Sequence, residues 1–111
     1  MTAPDTPPID LSQRDWEIVR DILAHHVPQY EVWAFGSRTK RTAKEYSDLD
    51  LAIITDQPLS LSLSADIANA FEESDLPIKV DVVDWATASE IFQQIIEKNK
   101  VVVQHAHKMS V

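Results

Sequence analysis

The chain has 111 residues without a cysteine, which suits one domain with a single apolar core and excludes disulfides and thiolate metal sites. Its formal net charge of −8 argues against direct nucleic-acid binding, because the phosphate backbone would be repelled, and it favours a basic protein partner. No apolar run approaches the roughly 18 residues that a membrane span needs, so we expect a cytoplasmic protein without membrane contact.

The N-terminal third is predicted to contain a tail followed by a helix. Residues 1–10 include three prolines and little to bury, which predicts a disordered tail. Ser12 and Asp15 have the capping-box form, and the apolar spacing that follows predicts a helix to about Val27. Pro28 ends it.

Two strands with a short helix between them are predicted next. Glu31–Phe35 is rich in aromatic and β-branched residues, as strands are. Residues from Ser37 to about Ala43 are predicted to form a short helix. Leu49–Thr55 is predicted as the second strand, which places Asp48 and Asp50 on one face.

The segment after the second strand is ambiguous. Residues 59–64 alternate like a strand, but apolar residues from Leu63 to Phe71 have helical spacing, and we predict a helix from about Ser62 to Ser74. Ile78–Val83 is predicted as a third strand, with Asp81 on the face opposite its valine neighbours.

The remaining elements complete the fold prediction. Thr87 and Glu90 form a capping box before a further helix, and Val101–Val103 is a short terminal strand or a packed tail. We predict one domain over residues 11–103, then a tail over residues 104–111. Alternating helices and strands predict an α/β (α+β) fold, and the short link between the first two strands favours an antiparallel pair and so a small mixed β-sheet with flanking helices.

Acidic residues on two predicted strands form a candidate metal site. Asp48 and Asp50 project from one face, roughly 7 Å apart along the strand, where two unpaired carboxylates would repel each other. A divalent cation turns that repulsion into binding, and magnesium prefers carboxylates and substrate phosphates. Asp81, on a neighbouring strand, is placed to supply a third carboxylate. Each feature alone is also typical of a solvent-facing strand end.

A glycine–serine pair before the aspartates is a candidate phosphate site. Gly36, the only glycine in the chain, follows a strand and permits close approach of a ligand to the backbone. The following helix would aim free N–H groups at an anion, and the Ser37 hydroxyl could donate a hydrogen bond. Alone, the pair is also typical of a simple capped turn.

The combined pattern resembles a known family. Gly36-Ser37, ten residues, and Asp48-x-Asp50, with Asp81 on a later strand, resemble the nucleotidyltransferase superfamily related to DNA polymerase β. The single-domain size resembles its minimal nucleotidyltransferase (MNT) subgroup. The resemblance implies the nucleotidyltransferase fold over most of the chain. It also implies an antitoxin that transfers AMP from ATP to a tyrosine of a HEPN ribonuclease partner.

The resemblance also implies residue roles. Gly36 and Ser37 would hold the β- and γ-phosphates of ATP, and Asp48 and Asp50 would bind two magnesium ions. Asp81 would bind the catalytic ion and help to deprotonate the attacking hydroxyl.

One position departs from the family pattern. Arg41 stands where a second glycine is common, which puts the following loop in doubt. The basic residues nearby, Arg38, Lys40, Arg41 and Lys44, either face the triphosphate or form a solvated helix face. Arg38 lies closest to the glycine–serine pair, and we predict that it binds the nucleotide.

We therefore predict a magnesium-dependent protein adenylyltransferase that acts on a HEPN-domain partner, with which it could form a hetero-oligomer. Two alternatives stay open. One is an antitoxin that neutralises its partner by binding alone, and the other is a transferase for a small molecule of the aminoglycoside type. The base preference, the acceptor and the number of nucleotides added are not determined by the sequence.

Overall fold

A computed structural model describes residues 7–39 and 47–106 of the chain. Four of the predictions lie partly or wholly outside these residues, namely the two terminal tails, the end of the short helix after Ser37, and the basic residues Lys40, Arg41 and Lys44. Among residues 7–39 and 47–106, none of the helices combines the length and the hydropathy that a bilayer span requires.

The described residues alternate between helices and strands. Their elements in chain order are α1 (Gln13–His26), β1 (Glu31–Phe35), a 3-10 helix (Ser37–Thr39), β2 (Leu49–Ile54), α2 (Leu61–Glu72), β3 (Val80–Asp84), a second 3-10 helix (Trp85–Thr87), α3 (Glu90–Asn99) and β4 (Val101–Gln104). The predicted α/β fold is confirmed. The ambiguous segment after β2 is a helix, and the last apolar run is a strand.

The four strands form one mixed sheet in the order β3-β2-β1-β4. β1 pairs antiparallel with both β2 and β4, whereas β2 and β3 are parallel. The antiparallel pairing of β1 with β2 confirms the expectation from their short link. Parallel pairing of β2 with β3 needs a crossover connection, and α2 supplies it.

Alternate side chains along the strands divide the core between the two faces of the sheet. On the first face, Val32, Leu51 and Val82 pack with α1 and α2. On the second face, Trp33, Ala52 and Val83 pack with Ile96 of α3 and with Trp85. The sheet is therefore covered on both sides, which suits its largely apolar strands.

Serine side chains cap each of the three helices. Ser12, Ser60 and Ser89 accept hydrogen bonds from the backbone N–H of the residue three positions later, each at 3.1 Å. The cap at Ser12 was predicted, but the prediction of a cap at Thr87 is wrong. Thr87 ends the second 3-10 helix and donates to the carbonyl oxygen of Asp84, so α3 begins only after Ser89.

Ile9, within the segment predicted as an N-terminal tail, packs on the domain. Ile9 is 1% exposed, and its burial in the first-face core outweighs the local effect of the prolines. At the other end, Gln104 belongs to β4 and donates to the carbonyl oxygens of Val27 and Tyr30, both at 2.9 Å. Gln104, one residue beyond the predicted domain boundary of 103, is thus bonded to the segment between α1 and β1.

Leucine-to-alanine substitutions at two positions test this account of the core. Leu51 is fully buried in β2 and Leu61 is 90% exposed at the start of α2. We expect Leu51→Ala to lower the free energy of unfolding by about 2–5 kcal/mol, because it leaves a cavity. The matched control Leu61→Ala should stay within about 0.5 kcal/mol of the wild type. Urea denaturation followed by tryptophan fluorescence measures both, and equal losses would contradict the assignment of the core.

Candidate functional site

Gly36 makes a turn that only glycine fits. Its φ is +87°, in the region that favours glycine. A Cβ atom at this position would also lie 2.5 Å from Oδ2 of Asp50. The turn therefore brings the backbone of Gly36 directly against the Asp50 carboxylate, so the two predicted halves of the site are in contact.

The residues after Gly36 form a single 3-10 turn. The Thr39 backbone N–H and its hydroxyl both donate to the carbonyl oxygen of Gly36, at 3.1 and 2.7 Å. Ser37 begins this turn and is half-buried. The turn is thus closed from within, and Ser37 is held next to the glycine at the end of β1.

Two of the three predicted aspartates, Asp50 and Asp81, share the second face of the sheet. Asp50 and Asp81 are direct partners in the parallel β2–β3 pair, where neighbouring strands lie roughly 4.8 Å apart. Asp50 precedes Ala52 by two residues, and Asp81 precedes Val83 by two. Since Ala52 and Val83 belong to the second-face core, alternation puts both carboxylates on that face. Asp48, two residues before Asp50, is exposed at the entrance to β2.

This arrangement raises the pKa of Asp50. Burial, the carboxylate of Asp81 and the carboxylate of Asp48 each raise the pKa of Asp50 above its ordinary value, in that order of importance. Burial and neighbouring negative charge both disfavour the ionised form. Perturbed carboxyl groups of this kind are enriched at functional sites, although structural clusters produce them too.

The aspartates do not form a closed metal cage. Across residues 7–39 and 47–106, no group of three or more histidine or acidic side chains is arranged to hold an ion. Asp81 is instead 3.5 Å from Lys79 Nζ in an exposed ion pair. Such pairs contribute little, so this one is a weak constraint on Asp81.

Arg38, which the sequence predicts to bind the nucleotide, has a buried side chain that is bonded to backbone. Although charged, it is 7% exposed. Its Nε and Nη2 donate to the carbonyl oxygen of Ser47 at 3.0 and 2.8 Å. Its Nη1 donates to the carbonyl oxygen of Asp10 at 2.7 Å. These bonds connect three separate segments of the chain.

Asp84, which the sequence analysis did not include in the site, has a structural role. Its Oδ1 accepts from the Thr55 hydroxyl at 2.5 Å and its Oδ2 accepts from the Leu59 backbone N–H at 2.7 Å. Thr55 in turn accepts from the backbone N–H of Ala86. Asp84 therefore fastens the residues after β2 to the end of β3, at the opposite end of these strands from the candidate site.

Sequence reasoning missed an aromatic pair beside the aspartates. Phe35 is the β1 partner of Asp50, and its ring meets that of Phe92 edge to face, with centroids 5.7 Å apart. Both belong to the second-face core, so this pair forms an apolar boundary next to Asp50. The alternation of β1 could have placed Phe35 on that face, but no local signal identifies Phe92 as its neighbour.

A groove elsewhere on the surface is separate from the aspartates. It has a volume of about 590 Å³ and lies between α2 and β3, where Ile67, Phe71 and Val82 line it. These residues belong to the first-face core, whereas Asp50 and Asp81 lie on the second face. The groove is therefore not the candidate site.

The fold is shared with solved toxin–antitoxin structures. One, a toxin–antitoxin complex with AMP-PNP, aligns with a TM-score of 0.67 and 24% identity over 79% of this chain and 71% of that chain. Another is the complex of a tri-AMPylated Shewanella oneidensis HEPN toxin with an MNT antitoxin. It aligns with a TM-score of 0.56 and 21% identity over 84% of this chain and 71% of that chain. At these identities, the similarity bears on the fold.

The sequence itself is similar to that of a curated relative. The chain is 52% identical over 100 residues to the probable protein adenylyltransferase MntA of Haemophilus influenzae, covering 90% of this chain and 88% of the relative. Residues 17–108 match the family model described as "Polymerase beta, Nucleotidyltransferase", which includes the glycine turn and all three aspartates. The chain belongs to this nucleotidyltransferase family.

Proposed function

We propose that this protein transfers AMP from ATP to a hydroxyl group of a HEPN-domain protein partner, and that it acts as the antitoxin of that partner in the cytoplasm. The observation that carries the proposal is the contact between the Gly36 turn and Asp50, which is itself the strand partner of Asp81. This contact puts a backbone that a phosphate can approach beside paired carboxylates. The 52% identity to a probable protein adenylyltransferase supports the choice of acceptor class.

The donor set fits magnesium. Asp50 and Asp81 are strand partners on one face, and the pKa of Asp50 is raised in part by its two acidic neighbours, which is the repulsion that a cation would relieve. Magnesium is usually bound by one or two carboxylates together with substrate phosphates and water, rather than by an all-protein cage. The lack of a three-residue cluster among the described residues is therefore compatible with a site completed by ATP.

The residues of the candidate site divide into a metal-binding and a phosphate-binding group in the proposed reaction. Asp48, Asp50 and Asp81 would hold two magnesium ions, which supply charge neutralisation at the phosphates when bound. The backbone at Gly36 and the hydroxyl of Ser37 would hold the β- and γ-phosphates. The acceptor oxygen forms a bond to the α-phosphorus, the bond to the β-phosphate oxygen breaks, and pyrophosphate leaves. Asp81 would take the proton of the acceptor hydroxyl.

The identity of the partner rests on similarity. A solved structure with the same fold contains a tri-AMPylated HEPN toxin bound to its MNT antitoxin, and this architecture is carried over to the present chain as part of the proposal. The net charge of −8 is suited to a basic partner. An antitoxin that acts by contact alone, and a transferase for a small molecule, are the competing outcomes of the experiments below.

Substitution of the metal-site aspartates tests the transfer reaction. Purified protein would be incubated with labelled ATP, magnesium and the HEPN protein, and the mass and label of each protein followed. We expect Asp48→Ala and Asp50→Ala to reduce AMP transfer by roughly 100-fold or more, because removal of one group that stabilises transition-state charge has effects of this size. Asp56→Ala, an exposed aspartate after β2, is the matched control and should transfer normally.

The alternatives give different results in the same assay. Tight binding of the HEPN protein without modification, and neutralisation that survives Asp48→Ala, would instead support an antitoxin that acts by contact. Label that appears on a small molecule but never on protein would support the third possibility.

Gly36→Ala tests the contact that carries the proposal. The new methyl group would overlap the Asp50 carboxylate at 2.5 Å and force a non-glycine residue to a φ of +87°, which costs of order 1–3 kcal/mol. We expect lower thermal stability together with loss of AMP transfer. Ala34→Gly, two residues earlier in β1, controls for a generally weakened strand. If Gly36→Ala is as active as the wild type, the backbone at Gly36 does not hold the phosphates.

The raised pKa of Asp50 predicts opposite effects of one substitution on stability and activity. Because the folded-state pKa is above the unfolded value, the native state binds the proton more tightly. Stability of the metal-free protein therefore falls as pH rises between those two values, and the loss persists at neutral pH. Asp50→Asn should raise the free energy of unfolding of the metal-free protein at pH 7 while abolishing transfer.

The pH dependence supplies the check on this prediction. The stability gain of Asp50→Asn should vanish at pH 3, where the wild-type carboxyl is protonated as well. Urea denaturation at both pH values, without divalent cations, measures it. A gain that is the same at pH 3 and pH 7 would show that ionisation of Asp50 is not its origin.

A further inference from the structure

Arg38 is a buried charge whose hydrogen bonds hold backbone. Buried charges are costly unless they are hydrogen-bonded, and Arg38 donates from Nε and Nη2 to the carbonyl oxygen of Ser47 and from Nη1 to that of Asp10. The backbone N–H of Asp10 donates back to the carbonyl oxygen of Arg38 at 2.7 Å. The planar guanidinium suits this task, because its donors form a rigid fork.

The carbonyl group that Arg38 holds belongs to the residue immediately before Asp48. On the other side of Asp48, the backbone N–H of Leu49 donates to the carbonyl oxygen of Lys79 at 2.9 Å. Asp48 therefore has an exposed side chain on a backbone that is fixed at both ends. The bond from Leu49 fixes it relative to β3, and the bonds from Arg38 fix it relative to the Gly36 turn.

The N-terminal segment completes this scaffold. Ile9 is 1% exposed in the first-face core, and the Leu11 backbone N–H donates to its carbonyl oxygen at 2.8 Å. Asp10, between them, accepts from Arg38. The packing of Ile9 thus provides a fixed support for the guanidinium, which in turn orients the entrance to β2.

We propose that Arg38 is a positioning residue that sets the place of the Asp48 carboxylate by fixing Ser47 against the N-terminal segment. This inference rests on the proposed metal-binding role of Asp48. It assigns Arg38 a function in metal affinity, and it differs from the sequence-based prediction that Arg38 binds the nucleotide. In the competing role, the guanidinium would contact phosphate directly.

Arg38→Lys separates the two roles. Lysine keeps the charge but is a point donor on a flexible stem and cannot reproduce the fork. We expect Mn²⁺ binding to the free protein, measured by electron paramagnetic resonance, to weaken by roughly 10- to 100-fold, the usual effect of losing a group that orients a metal ligand. The KM for ATP at saturating magnesium should change by less than about 2-fold, since no phosphate contact is lost.

Arg14→Lys is the matched control. Arg14 is 64% exposed and pairs with Asp15 and Asp75 on the surface, so its replacement should leave Mn²⁺ binding and the KM for ATP unchanged. Circular dichroism and thermal unfolding establish that each variant is folded. A raised KM for ATP with unchanged Mn²⁺ binding in Arg38→Lys would overturn the positioning role in favour of a phosphate contact. Wild-type values for both quantities would overturn either role.

A measurement on the wild-type protein decides the question if Arg38→Lys fails to fold. The Hε proton of Arg38 should exchange slowly with solvent. The chemical shift of its Nε–Hε resonance should not change when ATP is added without metal. A shift of that resonance with ATP would overturn the proposal. If the wild-type protein binds no Mn²⁺ either alone or together with an ATP analogue that cannot transfer AMP, the proposed metal site itself fails. If the wild type and Arg38→Lys bind Mn²⁺ equally well under the same condition, only the positioning role is rejected.

Discussion

The in-register parallel pairing of β2 and β3 is the constraint on which the candidate site depends. It makes Asp50 and Asp81 direct partners, whereas a shift of one residue would send one of them to the opposite face. The register is held by apolar side chains on both faces, among them Leu51 and Val82 on the first. Burial of these residues thus keeps together two carboxylates that would otherwise separate.

The two faces of the sheet differ in composition: one is mainly core, and the other also carries candidate site residues. The first face is packed against α1 and α2, and apart from Asp84 at the end of β3 its strand residues are largely apolar. The second face carries Asp50 and Asp81 at one end and is covered by Trp85 and Ile96 further along. Because strand side chains alternate, a single short strand such as β2 supplies core residues and metal-site candidates at once. The same strand thus contributes to both the core and the candidate site, which suits a domain of this size.

The candidate site lowers the stability of the metal-free protein through the burial of Asp50 and its repulsion by neighbouring carboxylates. The pKa of Asp50 is raised by burial first and by Asp81 and Asp48 second, so its ionised form is disfavoured in the metal-free protein. Sites arranged for function commonly reduce stability in this way. The bonds from Arg38 to Ser47 and from Leu49 to Lys79 hold the backbone at Asp48 against that repulsion, while the side chain stays open to solvent.

The alternation of helices and strands and the mixed sheet could be predicted from the sequence alone, because they follow from side-chain periodicity and link length along the chain. The sequence also singled out Gly36 beside the aspartates. Three features could not be predicted in this way: the contact of the Gly36 turn with Asp50, the packing of Ile9 in the core, and the bonds from the buried Arg38 to backbone. These facts depend on contacts between residues distant in sequence, such as Asp10 and Arg38, for which neither local propensity nor spacing carries a signal.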